Sequence, residues 1–228
     1  MKIDPATGVI TYVVFVLSTT AHEAAHAWSA WRLGDETAHR GGLATLDPTP
    51  HLRRSPFGMI IIPILSFWLN GWMIGWASTP LDRQWLLEHP RRAGIMALAG
   101  PAANLLFVLL AAAGILLGVF LHAFEILPNP SWGEVVGSLR GGIWPFLGAV
   151  LGITFSLNLL LFLFNLMPLP PLDGARIPLL ALSREWAARY SVWMFRSELV
   201  YLGLLLAWKG FNYVYWPVWE FCIRLLRM

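Results

Sequence analysis

The chain has 228 residues, 57% of them hydrophobic and 13% charged, with a mean hydropathy of +0.61, a balance that excludes a soluble globular domain and places the chain in a bilayer. Lys and Arg total 16 against 13 Asp and Glu; no basic block is interleaved with polar sequence, so nucleic acid is excluded as the main partner. The single cysteine, Cys222, can make neither an internal disulfide nor a thiolate cluster, so any metal must sit on His, Asp or Glu.

Met1 and Lys2 ahead of the apolar run Val9 to Leu17 superficially resemble a secretory signal. The run continues through Ala21 to Ala27 and stays apolar to Trp31, which predicts a retained membrane helix. Gly41 and Gly42 then lead into Leu43 to Asp47, stopped by Pro48 and Pro50, which predicts a short surface strand with Trp76 to Leu81 as its partner. Three further hydrophobic stretches run from Phe57 to Trp76, Ile95 to Leu121 and Ile143 to Leu166. The segment Gly174 to Arg196 alternates arginines with apolar residues, as expected of a chain lying along the membrane surface. Leu199 to Leu226, with Lys209 and Gly210 in its middle, reads as one tilted helix or a tight hairpin. No repeat, low-complexity tract or long linker divides the chain. The expected fold is an all-α polytopic membrane protein, a bundle of about 5–6 membrane helices or segments with a short surface β-hairpin and a re-entrant segment. It is expected to be one domain over residues 1–228, with a core over about 9–182 and C-terminal helices over about 197–227.

The chemistry is concentrated in His22-Glu23-Ala24-Ala25-His26. In a helix residues four apart share a face, so both imidazoles can bind one zinc, with Glu23 beside the metal-bound water as general base. Ionisable groups inside an apolar helix are costly, about 2 to 3 kcal/mol each, and usually functional; the competing reading is a polar packing seam, which requires no such residue order. A catalytic zinc needs a third protein ligand. Asp173 follows Pro168, Pro170 and Pro171, which must break the preceding helix at a place tolerated only where backbone is buried in protein or lines a cavity. A helix N-cap before Gly174 to Leu182 is its other reading. His39 and His51 are rival donors in polar, Arg-containing loops, where a solvated surface histidine is the expected state.

These residues, with Asn165-x-x-Pro168-x-x-x-x-Asp173-Gly174 and Gly100-Pro101-x-x-Asn104, resemble the site-2 protease family of intramembrane zinc metalloproteases. Gly34-Asp35 and the Gly42 to Pro48 strand are similar to its compact bacterial and archaeal branch, so the resemblance covers about Ala21 to Arg176. In that strand the branch usually has Gly-Arg and Leu-Asn-Pro, where this chain has Gly41-Gly42 and Leu46-Asp47-Pro48. The resemblance implies His22, His26 and Asp173 as ligands of one Zn2+ per chain, Glu23 as general base, and Asn104 and Asn165 as polar groups lining the cleft, either of which could stabilise an oxyanion; interhelical hydrogen bonding is the other reading of Asn104. It also implies an integral membrane protein of a bacterial or archaeal cell membrane, cutting transmembrane protein or peptide substrates. No PDZ or nucleotide-sensing module is expected, so regulation would be absent or come from a partner.

Full alternation of the four long stretches would separate His26 from Asp173. If Phe57 to Trp76 instead dips in and returns, as Pro63, Asn70 and Gly71 permit, the ligands fall toward one surface. Arg32, Arg40, Arg53, Arg54, Arg83, Arg91, Arg92, Arg176, Arg184, Arg189 and Arg196 then share one side against Lys2 and Arg140, which predicts a zinc site toward the cytoplasm. A substrate segment could pair with an edge strand near Leu43 to Leu46. The competing classes are a membrane zincin with a glutamate third ligand, for which Glu125, Glu134, Glu185 and Glu198 are available, a catalytically inactive zinc-stapled scaffold, and a transporter. Beyond substrate and lipid, the sequence leaves room for a regulatory partner or a homo-oligomer.

Overall fold

The computed structural model describes residues 5–70, 73–194 and 196–228; Lys2 and Gly71, which enter the topology argument, lie outside them. Helix α1 (Pro5–Leu33) is 29 residues long, or roughly 43 Å, more than the hydrocarbon core of a bilayer requires. It stops where Gly34 takes φ +107°, a conformation that suits glycine. The Asp35 side chain then ties the turn together: Oδ1 accepts from Thr37 N at 2.9 Å and Oδ2 from Asp82 N at 3.0 Å.

Two short helices follow, α2 (Thr37–Arg40) and α3 (Pro48–Arg54), the second capped by Asp47, which accepts from Thr49 N at 2.8 Å. The strand expected over Leu43 to Asp47 is not formed. Those residues make a bend, because Asp47 N donates to Thr45 Oγ1 and Thr45 O is taken by His51 Nε2, so the groups that a sheet needs are already engaged. A π-helical turn (Phe57–Ile61) runs into α4 (Ile62–Asn70), with a 109° bend between α3 and this segment. The chain then returns extended over 73–82. Ile74 N donates to Ser66 Oγ at 2.9 Å, Trp76 N to Gly58 O at 3.0 Å, and Arg54 Nε to Ser78 O at 3.1 Å. Residues 57–70 and 73–82 therefore run out and back against one another, a course that a broken span or a re-entrant loop can take.

Helix α5 (Arg83–Glu88) leads to α6 (Pro90–Phe120), which has Pro90 in its first turn, where a missing N–H costs nothing. Strands β1 (Phe124–Ser131) and β2 (Glu134–Ser138) form the antiparallel hairpin of the fold, in a place where Pro128 and Pro130 argue against a strand. The pairing tolerates them through an irregular register between Ile126 and Ser131. Helix α7 (Trp144–Asn165) is followed by the proline-broken passage, a 3-10 segment (Asp173–Leu180), α8 (Arg184–Met194) and α9 (Ser197–Leu226). The C-terminal region is thus one helix that passes through Lys209 and Gly210 unbroken.

Among the described residues, α1, α6 and α7 are long and apolar enough to cross a membrane. They pack on one another, and glycines of α6 lie at the contacts, Gly100 against His22 and His26 of α1 and Gly114 against Leu151 of α7, as expected where close helix approach rather than water exclusion drives association. Leu106, Leu109, Leu110 and Leu117 of α6 face outward and supply the lipid-facing surface. Helix α9 joins the bundle through Tyr215, Trp219 and Ile223, packed with Phe155 and Leu159 of α7 and Ile115 of α6.

Candidate metal centre

Helical spacing puts the His22 and His26 rings one above the other on the buried face of α1, with centroids 4.6 Å apart. The 3-10 segment carries Asp173 to the same point from the far end of α7. His22 Nε2 and His26 Nε2 are 3.0 Å apart, and each is 3.1 Å from Asp173 Oδ2. Only 7%, 3% and 9% of the three residues is exposed, so water has little part in satisfying them. Among the described residues they form the one group of His, Cys, Asp or Glu close enough to hold a metal ion, with ligand atoms within 4.8 Å of one another. Arg176 Nη1 lies 3.8 Å from the other carboxylate oxygen of Asp173.

The surroundings fit a cation at this point. His26 Nδ1 lies 2.8 Å from Met96 O, a carbonyl that can only accept, so that nitrogen carries the hydrogen and Nε2 of the neutral ring presents its lone pair. His22 Nδ1 lies 2.6 Å from Asn104 Oδ1. Electron-rich atoms about 3 Å apart repel unless a proton or a metal cation sits among them, and three such donors around one point suit a metal. Space is kept for it by Gly100 on α6, where a Cβ would overlap Nε2 of both imidazoles. Two imidazoles and one carboxylate, with further coordination left open, form the donor set of a catalytic zinc centre.

Glu23 is also buried, and its carboxylate is held by the return segment: Thr79 Oγ1 donates to Glu23 Oε2 at 2.6 Å. Asn104 is wholly buried, with its amide turned to His22 and to Asn158, so it stands behind the imidazole as a support rather than open to a substrate oxygen. Asn165 donates to Leu161 O of its own helix at 3.0 Å and is not part of the network around His22. His51 is no ligand, but it is 3% exposed and bonds to Thr45 O, which corrects its reading as a solvated surface group. His39 is exposed and stacks on Trp31. Glu125, Glu134, Glu185 and Glu198 are all exposed, and Glu185 is paired with Arg189. In the surface layer Tyr190 Oη donates to Ala175 O at 2.7 Å and fixes the turn after Asp173; burial raises the phenol's pKa, which keeps it a donor.

Sequence reasoning missed Asn158, Ser18, Thr79 and the Met96 carbonyl. Asn158 had a signal, an amide in the middle of an apolar helix, where an unpaired polar group is costly. Thr79 had none, since nothing local marks a loop hydroxyl as the partner of a helix 56 positions earlier.

A polytopic membrane bundle with a His-His-Asp metal centre and an adjoining glutamate is the architecture of a membrane metallopeptidase. The sequence profile of Peptidase family M50 matches residues 10–206, and the chain belongs to that family, which bears out the site-2 protease resemblance. It is 36% identical over 208 residues to the Bacillus subtilis (strain 168) protein named "Putative zinc metalloprotease YwhC", covering 90% of this chain and 84% of that one. It is 31% identical over 218 residues to "Putative zinc metalloprotease Rip2" of Mycobacterium tuberculosis (strain ATCC 35801 / TMC 107 / Erdman), covering 92% and 73%. To the protein of the same name from Mycolicibacterium smegmatis (strain ATCC 700084 / mc(2)155) it is 31% identical over 169 residues, covering 73% and 56%. No solved structure matches the chain significantly.

Proposed function

We propose that the chain is an intramembrane zinc metalloprotease that hydrolyses peptide bonds within or near the transmembrane helices of membrane-protein substrates. The observation that carries this reading is the convergence of His22 and His26, from a helix long and apolar enough to span a membrane, with Asp173 from the 3-10 segment, beside a buried and positioned Glu23. When bound, zinc supplies Lewis acidity, lowering the pKa of a coordinated water and polarising the scissile carbonyl. Glu23 receives the proton of the attacking water and returns it to the leaving amine. Thr79 holds the carboxylate in place for that transfer. Asn104 and Met96 O keep the imidazoles oriented.

A transmembrane helix hides its peptide bonds in its own hydrogen-bond ladder, so the substrate must arrive unwound. Sequences with Gly, Pro or Asn near the cut are therefore favoured. A mostly apolar cavity of about 570 Å³, lined by Phe15, Ile74, Leu157, Phe164, Trp208 and Tyr215, lies between α1, the return segment, α7 and α9. It supports these elements as the route by which a helical substrate approaches. The C-terminal end of α1 meets the N-terminal end of α6, where Arg92 Nη1 donates to Leu33 O at 3.2 Å. Arg32, Arg53, Arg54, Arg83 and Arg91 belong to the elements at that end, and by the positive-inside rule it is the cytoplasmic one in a bacterial or archaeal cell membrane.

The test is zinc per purified chain for the native protein, His22→Ala and Asp173→Ala, followed by turnover of a transmembrane substrate by Glu23→Gln. The expected result is about one zinc natively and none in either ligand variant. Glu23→Gln keeps zinc and loses about 10² to 10⁴ in rate. A native chain without zinc, or full turnover by Glu23→Gln, overturns the proposal.

A further inference from the structure

We infer that Asn158 of α7 is a positioning residue that fixes the tautomer of His22 through Asn104, and so decides whether the His22 Nε2 lone pair faces the metal position. The inference rests on the zinc site proposed above. An amide side chain can be turned end for end, so a chain of amides has a direction only if something irreversible anchors it. Here the anchor is a backbone carbonyl. Asn158 Nδ2 lies 2.9 Å from Thr154 O, which can only accept, and 2.9 Å from Ser18 Oγ. The NH2 of Asn158 must therefore face them, which leaves its Oδ1 toward Asn104. Asn104 donates to that oxygen through Nδ2 at 2.9 Å. Its own Oδ1 is then committed to His22 Nδ1 at 2.6 Å, and an acceptor there requires the hydrogen to be on Nδ1. In the neutral ring Nε2 is left bare and directed at His26 Nε2 and Asp173 Oδ2.

The relay is sealed from water, since Asn104 and Asn158 are 0% exposed and Ser18 is 1% exposed. In so dry a setting a reversed amide leaves two acceptors or two donors facing each other, so one direction prevails. The two histidines differ in this respect. His26 takes its tautomer from the Met96 carbonyl directly and needs no relay, whereas His22 depends on a side chain whose direction is set two residues away, across the α6–α7 interface.

The experiment is a four-cornered comparison of zinc affinity by chelator competition on the detergent-solubilised full chain: native, Asn158→Leu, Asn104→Asp, and the double variant. A carboxylate at position 104 accepts from His22 with either oxygen, so its direction cannot be wrong; its other oxygen meets Asn158 Oδ1 as a second acceptor, so Asn158 no longer supports the imidazole and its replacement relieves a repulsion. The expected result is a loss of about 10- to 100-fold in affinity for Asn158→Leu alone, the usual effect of removing an outer support of a metal ligand. In the Asn104→Asp background the same replacement should cost less than about 3-fold. Equal losses in both backgrounds would mark Asn158 as merely structural and overturn the inference, as would native affinity in Asn158→Leu. Asn158→Ala serves for the same four corners if the leucine variant does not fold. A native chain that holds no zinc removes the site and the relay together, whereas native zinc with an indifferent Asn158 removes the relay alone.

Discussion

The Thr79 hydroxyl sits on the return limb of the re-entrant segment and donates to Glu23 Oε2 at 2.6 Å, joining the candidate base to a part of the chain that is not helical. Hydrogen bonds to charged groups contribute about 1.5–3 kcal/mol. Thr79→Val should therefore lower turnover of a transmembrane substrate by about 10- to 100-fold, while zinc content stays native because no metal ligand is touched. Thr79→Ser, which keeps the hydroxyl, should restore most of the rate. Native turnover in Thr79→Val would show that Glu23 is held without it.

The parts of this site that the sequence made legible are those whose spacing is local. His22 and His26 lie one turn apart on a helix too apolar to carry them idly, and the three prolines before Asp173 announce a break near the site. What stayed hidden depends on long-range packing: Asn158 meets Asn104 only because α6 and α7 lie side by side. The surface strand near Leu43 failed for a different reason. Its Gly-Gly start and proline stop are genuine signals, but side-chain bonds from Thr45 and His51 occupy the backbone there. The true hairpin at 124–138 was masked by its prolines, which an irregular register accommodates. In α9, Lys209 and Gly210 resemble a break, yet the helix needs no special conformation at either.

Gly100→Ala should abolish metal binding without unfolding the chain. Alanine suits a helix better than glycine by about 1 kcal/mol, which offsets the crowding of its Cβ against the ring of Pro101 that follows it in α6. Its methyl group, however, would occupy the space between the two imidazoles, overlapping both Nε2 atoms. Zinc per chain should fall from about one to near zero with helicity by circular dichroism unchanged. Zinc at the native level in this variant would mean that the imidazoles can retreat, and that Gly100 does not shape the site.

If the out-and-back segments 57–70 and 73–82 form a re-entrant loop, both outer ends share one face of the membrane. Arg54 bonds to Ser78 O, and Asp35 at the end of α1 bonds to Asp82 N, so Arg53 and Arg83 belong to the same surface layer. Single cysteines placed at these two positions in a Cys222→Ser background should react with a membrane-impermeant thiol reagent from the same side, with a cysteine at Arg140 reacting from the other. Labelling of positions 53 and 83 from opposite sides would make the segment a span and would separate His26 from Asp173.

Two glycines of α9 should respond in opposite ways to the same substitution. Gly203 is packed so closely that a Cβ there would overlap Pro170 O, in the passage that delivers Asp173 to the site. Gly210, seven residues further along the helix, has nothing within 4 Å of the same position. Gly203→Ala must push α9 or the proline passage aside, at a cost of about 1–3 kcal/mol, and because the passage ends in a ligand, zinc retention should weaken along with thermal stability. Gly210→Ala adds only helix propensity, so melting temperature should hold or rise and zinc retention should stay native. Thermal melts followed in detergent, with zinc release monitored by a chromophoric chelator, read both quantities at once. Equal behaviour of the two variants would mean that α9 is not seated against the Pro170 passage in the way the backbone contact requires.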